Sequence, residues 1–214
     1  MLRFPQDLDL IRSQVLTDPV SLMSPTKLQW LLRFVDQHQP QHITEVGSFA
    51  LGTAYILARH SASLVVHSWD INQWDQYFRQ FDHDQHLIYM CQRWPGIEFT
   101  PESMPYLQEI YLQAQPNLHS HTGSWLESSH CTDLVIIDGD HRPQAVREDI
   151  LHSLRVCGPG SHIIVDDCLV GEVALTAVRV CQILGLRHEF ACWQDYQTMQ
   201  GSRLQGPDFL VISC

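Results

Sequence analysis

Residues 42–53, His42-Ile43-Thr44-Glu45-Val46-Gly47-Ser48-Phe49-Ala50-Leu51-Gly52-Thr53, decide how the rest of the 214-residue chain is read. The run His42–Val46 reads as a short strand, and a helix begins at about Gly52 and continues to His60. The turn between them carries glycines at 47 and 52, where backbone can pass close to a ligand without a Cβ in the way. It is not the G-x-G-x-x-G pattern that seats a pyrophosphate on a helix N-terminus. Glu45, ahead of the first glycine, would repel a pyrophosphate and suits a ligand with a cationic amino-acid end. A strand from Leu64 to Trp69 follows and closes on Asp70, 18 residues after Gly52. That is the place of the acid that accepts hydrogen bonds from ribose hydroxyls in nucleoside-binding sheets.

Outward from this core, strands and helices alternate. Upstream, helices span about Asp7–Val15 and Ser24–Gln37. Ser24 caps the second, Pro25 takes its first turn, and Leu28, Leu31, Leu32 and Val35 recur at helical spacing. Downstream, Leu118–Thr122 and Asp133–Ile137 read as strands, a helix runs from Pro143 to Val156, and Gly158-Pro159-Gly160 ends it. His162–Val165 is a strand, Gly171–Leu184 a helix, and His188–Trp193 with Asp208–Ser213 a closing strand pair. The expected fold is a Rossmann-like α/β sheet of seven mostly parallel strands with an antiparallel C-terminal strand and helices on both faces. One domain spans residues 1–214, with N-terminal helices over 1–38. The stretch 71–117 exceeds the usual strand connection. It holds Trp74, Tyr77, Phe78, Phe81, Tyr89 and Trp94, and reads either as a lid and substrate wall or as core or homodimer-interface packing.

In open α/β sheets ligands bind outside the carboxyl ends of the strands. Those ends are polar here. Glu45 and Gly47 are followed by Asp70, by Gly123-Ser124, by Asp138-Gly139-Asp140-His141 and by Asp166-Asp167. Each acid alone is as readily a cap or turn former; four ends in order argue for a site.

Composition narrows the class. With 24 acidic against 13 basic residues, the net charge of −11 disfavours nucleic acid as a partner. No apolar stretch reaches membrane-spanning length, and Asp7 and Asp9 interrupt any signal-peptide core, so a cytoplasmic location is expected. The seven cysteines form no C-x-x-C pair and are expected mostly as buried thiols. His119-x-His121 would face one side of a strand, in packing or as metal ligands.

The segments Glu45–Phe49, Trp69-Asp70, Asp133–His141 and Leu154–Asp167 resemble class I S-adenosylmethionine-dependent methyltransferases. The likeness is closest to the small-molecule O-methyltransferase branch that carries the D-G-D-H signature, and it covers about Ser24 to Asp167. It implies methylation of a small hydroxylated acceptor. The cofactor would be held by Glu45, Gly47, Ser48, Phe49, Gly52, Thr53, Asp70, Gly123, Ser124 and Asp138. In the metal-assisted members, an acid after the fourth strand and an acid pair after the fifth hold a divalent cation. Asp138, Asp166 and Asp167 take those places and imply Mg²⁺, with Asp138 and His141 as catalytic groups and His141 where relatives place a lysine base. The bland alternative makes these residues turn and helix caps. Two departures stand out: Leu51 replaces a second glycine of the loop, and no acid or amide follows Ser124. They keep open a non-catalytic cofactor-binding module with the same fold. A nicotinamide oxidoreductase is disfavoured by the missing G-x-G-x-x-G.

Overall fold

The computed structural model describes residues 8–71, 90–97, 99–197 and 203–214. The first two helices are α1 (Leu8–Thr17) and α2 (Pro25–His38), followed by β1 (His42–Val46), α3 (Gly52–His60) and β2 (Val65–Asp70). Next come α4 (Met104–Ala114), β3 (Leu118–Thr122), a 3₁₀ turn (Trp125–Glu127), β4 (Thr132–Ile137) and α5 (Pro143–Val156). The chain ends with β5 (Cys157–Val165), α6 (Val173–Leu184), β6 (Arg187–Gln197) and β7 (Arg203–Ser213).

The strands form one seven-stranded sheet in the order β3-β2-β1-β4-β5-β7-β6. β1 to β5 pair in parallel, and β7 runs antiparallel between β5 and β6. This is the expected architecture. The chain leaves β1 toward one edge and returns at β4 on its other side, so the strand order reverses between β1 and β4. That is where an open α/β sheet has its ligand crevice. The central strand β4 carries the apolar run that a sheet covered on both faces requires: Leu134, Val135, Ile136 and Ile137 are all buried. One core lies under α1–α4 and the other under α5 and α6.

Two local expectations change. Gly158-Pro159-Gly160 ends α5 but is itself part of β5, where the strand pairing slips between Thr132 and Leu134. Of the cysteines, only Cys168, Cys181 and Cys192 are buried; Cys91 and Cys131 are exposed. His119 and His121 do share a face of β3. There His67 stacks on both, and His67 Nδ1 lies 2.9 Å from His121 Nε2. Among the aromatic residues of the 71–117 stretch, Trp94 is buried and its indole donates to the Asp18 carbonyl at 2.8 Å. Trp74, Tyr77, Phe78, Phe81 and Tyr89 lie outside the described residues.

Candidate active site at the strand ends

Backbone hydrogen bonds carry the sheet one residue past its strands and align the predicted row. Gly123 N donates to the Asp70 carbonyl (3.0 Å) and Gly47 N to that of Trp69 (2.9 Å). Asp138 N donates to Val46 O (2.8 Å) and Asp166 N to Ile137 O (2.9 Å). Five neighbouring strand ends, those of β3, β2, β1, β4 and β5, thereby share one rim.

At its left half, Asp70 and the glycine turn are a single unit. The Ser48 and Phe49 amides both donate to Asp70 Oδ2 at 3.0 Å. Two backbone donors on one carboxylate oxygen hold the turn against the acid. Gly47 has φ +89°, and a Cβ there would stand 2.2 Å from the Asp138 carbonyl oxygen, so only glycine lets β1 and β4 close up at this point. Phe49 (φ 43°) and Leu51 (φ 66°) also adopt the left-handed conformation. Such strain gathers where surrounding structure holds a site in shape. Ser48 Oγ is buried and meets no hydrogen-bond partner among the described residues. Gly123 ends β3, and Ser124 caps the 3₁₀ turn by accepting from Leu126 N (3.3 Å).

Three predicted cofactor residues face elsewhere. Gly52 is needed for a close approach, but to the chain itself: a Cβ would lie 2.0 Å from Val20 O. Thr53 pairs its hydroxyl with that of Ser21 at 2.7 Å. Glu45 is buried within β1 and accepts from Ser68 Oγ at 2.6 Å. Burial, partly offset by that bond, raises its carboxyl to about 8, so it supports the turn from below. Leu51 is fully buried in the core and does not narrow the crevice.

The right half holds a residue that the motif reading missed. Lys27, from the first turn of α2, reaches across the rim into the acids. Its Nζ lies 2.6 Å from Asp166 Oδ1, 2.7 Å from Asp167 Oδ1 and 3.1 Å from Asp208 Oδ2. The Phe209 ring sits 5.7 Å from it. Burial opposes the ammonium charge, yet the carboxylates outweigh burial and hold the lysine well above its ordinary pKa. Asp166 further accepts from Asp167 N (2.5 Å), in a turn where Asp167 has φ 54°. Asp138 is pushed upward by burial and then by the Asp166 and Asp167 charges. His141 Nε2 lies 3.2 Å from Asp167 Oδ2, on the side away from Lys27. Asp140 turns outward to pair with the exposed Arg142.

A signal for Lys27 was present. A cation in the first turn of a helix opposes the helix dipole, and a broken local rule of that kind marks functional positions. Asp208, read only as the start of a strand, had none.

These contacts correct the metal expectation. Asp138, Asp166 and Asp167 lie together as predicted, but Lys27 binds the two acids of the pair. Mg²⁺ wants an all-oxygen shell at close range, and here an ammonium already stands 2.6–2.7 Å from those oxygens. Of the two other sets with ligand atoms within 4.8 Å of one another among the described residues, Asp138, His141 and Asp167 include one imidazole and His67, His121 and His130 are all imidazoles, ligands that suit softer cations. The residues present do not fit Mg²⁺ at the acid pair.

A family model described as a methyltransferase domain matches residues 28–168, from α2 to the end of the rim. No curated protein matches the chain in sequence. Among solved structures, the chain is similar to the O-methyltransferase from Bacillus cereus in complex with S-adenosylhomocysteine, at TM-score 0.56 and 15% identity, covering 100% of this chain and 94% of that one. It is similar to the O-methyltransferase TomG from Streptomyces achromogenes, in complex with S-adenosylmethionine (TM-score 0.54, 14% identity, 100% and 92% covered). The precorrin-6y C5,15-methyltransferase from Geobacter metallireducens matches at TM-score 0.60 and 9% identity, with 92% and 93% covered. Identities this low speak to the fold, and the fold is common to enzymes named for different acceptors.

Proposed function

The chain belongs to the methyltransferase-domain family, and from that premise we propose that it methylates a hydroxyl oxygen of a small molecule with S-adenosylmethionine. The observation that carries this reading is the fusion of the Gly47 turn with Asp70, two amides on one carboxylate oxygen, beside Asp138 at the reversal of strand order.

The residues fit the nucleoside. The buried Ser48 hydroxyl, without a partner among the described residues, offers a polar group to the amino-acid end. Asp70 would hold the ribose, and Gly123-Ser124 would border the adenine. The acidic rim suits a cationic ligand. When bound, S-adenosylmethionine supplies a methyl group activated by a sulfonium.

His141 takes the proton from the acceptor hydroxyl at Nδ1, the ring nitrogen that does not face Asp167. Asp167, held by Lys27 through Oδ1, turns Oδ2 toward Nε2 of that imidazole. The strained turns at Phe49, Leu51 and Asp167 fix these groups before ligand arrives, so transfer depends mainly on alignment of acceptor oxygen, methyl carbon and sulfur. Because Lys27 occupies the acid pair, no step is routed through Mg²⁺.

Incubating the purified protein with methyl-labelled S-adenosylmethionine, EDTA and a panel of catechols and other hydroxylated compounds tests the reading. Label is expected on an oxygen, and His141→Gln is expected to lower kcat by about 10²-fold while S-adenosylhomocysteine binding persists. Label found only on nitrogen or carbon would overturn the oxygen acceptor. Cofactor binding without transfer to any compound would overturn the catalytic half.

A further inference from the structure

We propose that Lys27 is a built-in cation that takes the place of a divalent metal at the Asp166–Asp167 pair and makes this site indifferent to metal ions. The inference deepens the functional reading of the same rim, but it stands on separate contacts.

Asp166 and Asp167 follow the end of β5, and Asp208 lies within its neighbour β7. Asp166 and Asp208 are almost fully buried. Three carboxylates this close repel one another unless a cation or protons intervene. The ammonium meets one oxygen of each at 2.6, 2.7 and 3.1 Å, with 8% of the lysine side chain exposed. The Phe209 ring closes a further side. An incoming Mg²⁺ would need the Asp166 and Asp167 oxygens at about 2.0–2.1 Å. Within that radius it would press against the ammonium with two like charges and no solvent between them.

The supply of the cation is also tied to the fold. Lys27 sits in the first turn of α2, which Ser24 caps by accepting from the Lys27 amide at 3.3 Å. Its position is therefore set by the helix start and not by a flexible loop. Lys27 acts as a positioning residue: it holds Asp166 and Asp167 in place, and Asp167 in turn stands beside His141. A metal would have polarised the acceptor directly; an ammonium buried behind the acids leaves proton removal to His141.

Titration of the full-length protein with Mn²⁺, followed by electron paramagnetic resonance, tests this without reference to methyl transfer. Wild type is expected to leave Mn²⁺ free up to millimolar concentration. Lys27→Met uncovers the three acids and is expected to gain Mn²⁺ affinity by tenfold or more, with a melting temperature that rises on Mn²⁺ addition. Lys27→Arg is expected to remain as indifferent as wild type. Micromolar Mn²⁺ binding by wild type, lost in Asp166→Asn, would overturn the proposal. So would a folded Lys27→Met protein that gains no affinity. If Lys27→Met does not fold, the wild-type titration still decides. A failed search for methyl transfer with a metal-indifferent wild type would count against the functional reading alone.

Discussion

Asp70 and Asp166 both stand at the carboxyl ends of parallel strands, β2 and β5, yet their charges are answered in different ways. Asp70 is met by two backbone amides of the neighbouring turn. Asp166 is met by a side-chain ammonium that arrives from α2, 139 positions earlier in sequence. The first arrangement leaves a half-buried carboxylate beside the glycine turn. The second closes on itself, since Lys27 draws three carboxylates together and leaves the other oxygen of Asp167 to His141. One half of the rim is held by backbone donors, the other by a side-chain cation.

Removing the cation should have the largest effect. Lys27→Met leaves buried carboxylates uncompensated, and loss of one partner from such a cluster costs about 3–5 kcal/mol. Urea denaturation of the variant against wild type checks it; a loss under about 1 kcal/mol would mean that the cluster is more hydrated than its burial indicates. On the backbone half, Gly47→Ala adds a Cβ 2.2 Å from the Asp138 carbonyl at φ +89°. The expected loss is about 2–3 kcal/mol, accompanied by weakened S-adenosylhomocysteine binding. Stability loss with unchanged binding would separate the turn from the cofactor.

Glu45 sharpens the contrast through pH. Folded, its carboxyl keeps its proton to about pH 8, whereas unfolded it ionises near 4.5. The folded state thus holds the extra proton across that window, and stability falls as pH rises through it, by at most about 1.4 kcal/mol per pH unit. Glu45→Gln is expected to remove that slope, read as a stability difference from wild type that grows between pH 5 and 8. A constant difference would place the carboxyl in a wetter setting. The smallest effect belongs to Asp140, which pairs outward with Arg142. Asp140→Ala should change neither melting temperature nor S-adenosylhomocysteine affinity. A clear loss of affinity would bring the third residue of the D-G-D-H run into the site.

The backbone half was largely legible in the amino-acid order. Gly47, Asp70, Gly123, Asp138 and Asp166 each follow an apolar or alternating run, and a parallel sheet must bring such positions to one rim. Gly52 was legible as a position of close approach, but not the fact that Val20 makes that approach, because the partner is set by how the 20–21 segment crosses α3. The side-chain half was legible only in its acids. Their cation lies far away in sequence, and no local periodicity ties Lys27 to Asp166. What local chemistry did record was a lysine in the wrong turn of a helix. Weighed against the dipole, it would have pointed to an acidic partner and away from Mg²⁺.

The central claim is that the Gly47 turn and Asp70 together grip the cofactor, with no help from a metal. Calorimetric titration of S-adenosylhomocysteine into wild type and Asp70→Asn, both in EDTA, tests it most directly. The expected result is a single site in wild type and affinity at least tenfold weaker in the variant, the cost of about 1.5–3 kcal/mol for losing charged hydrogen bonds. Equal affinity in the two proteins, or wild-type binding that appears only when Mg²⁺ is restored, would contradict it.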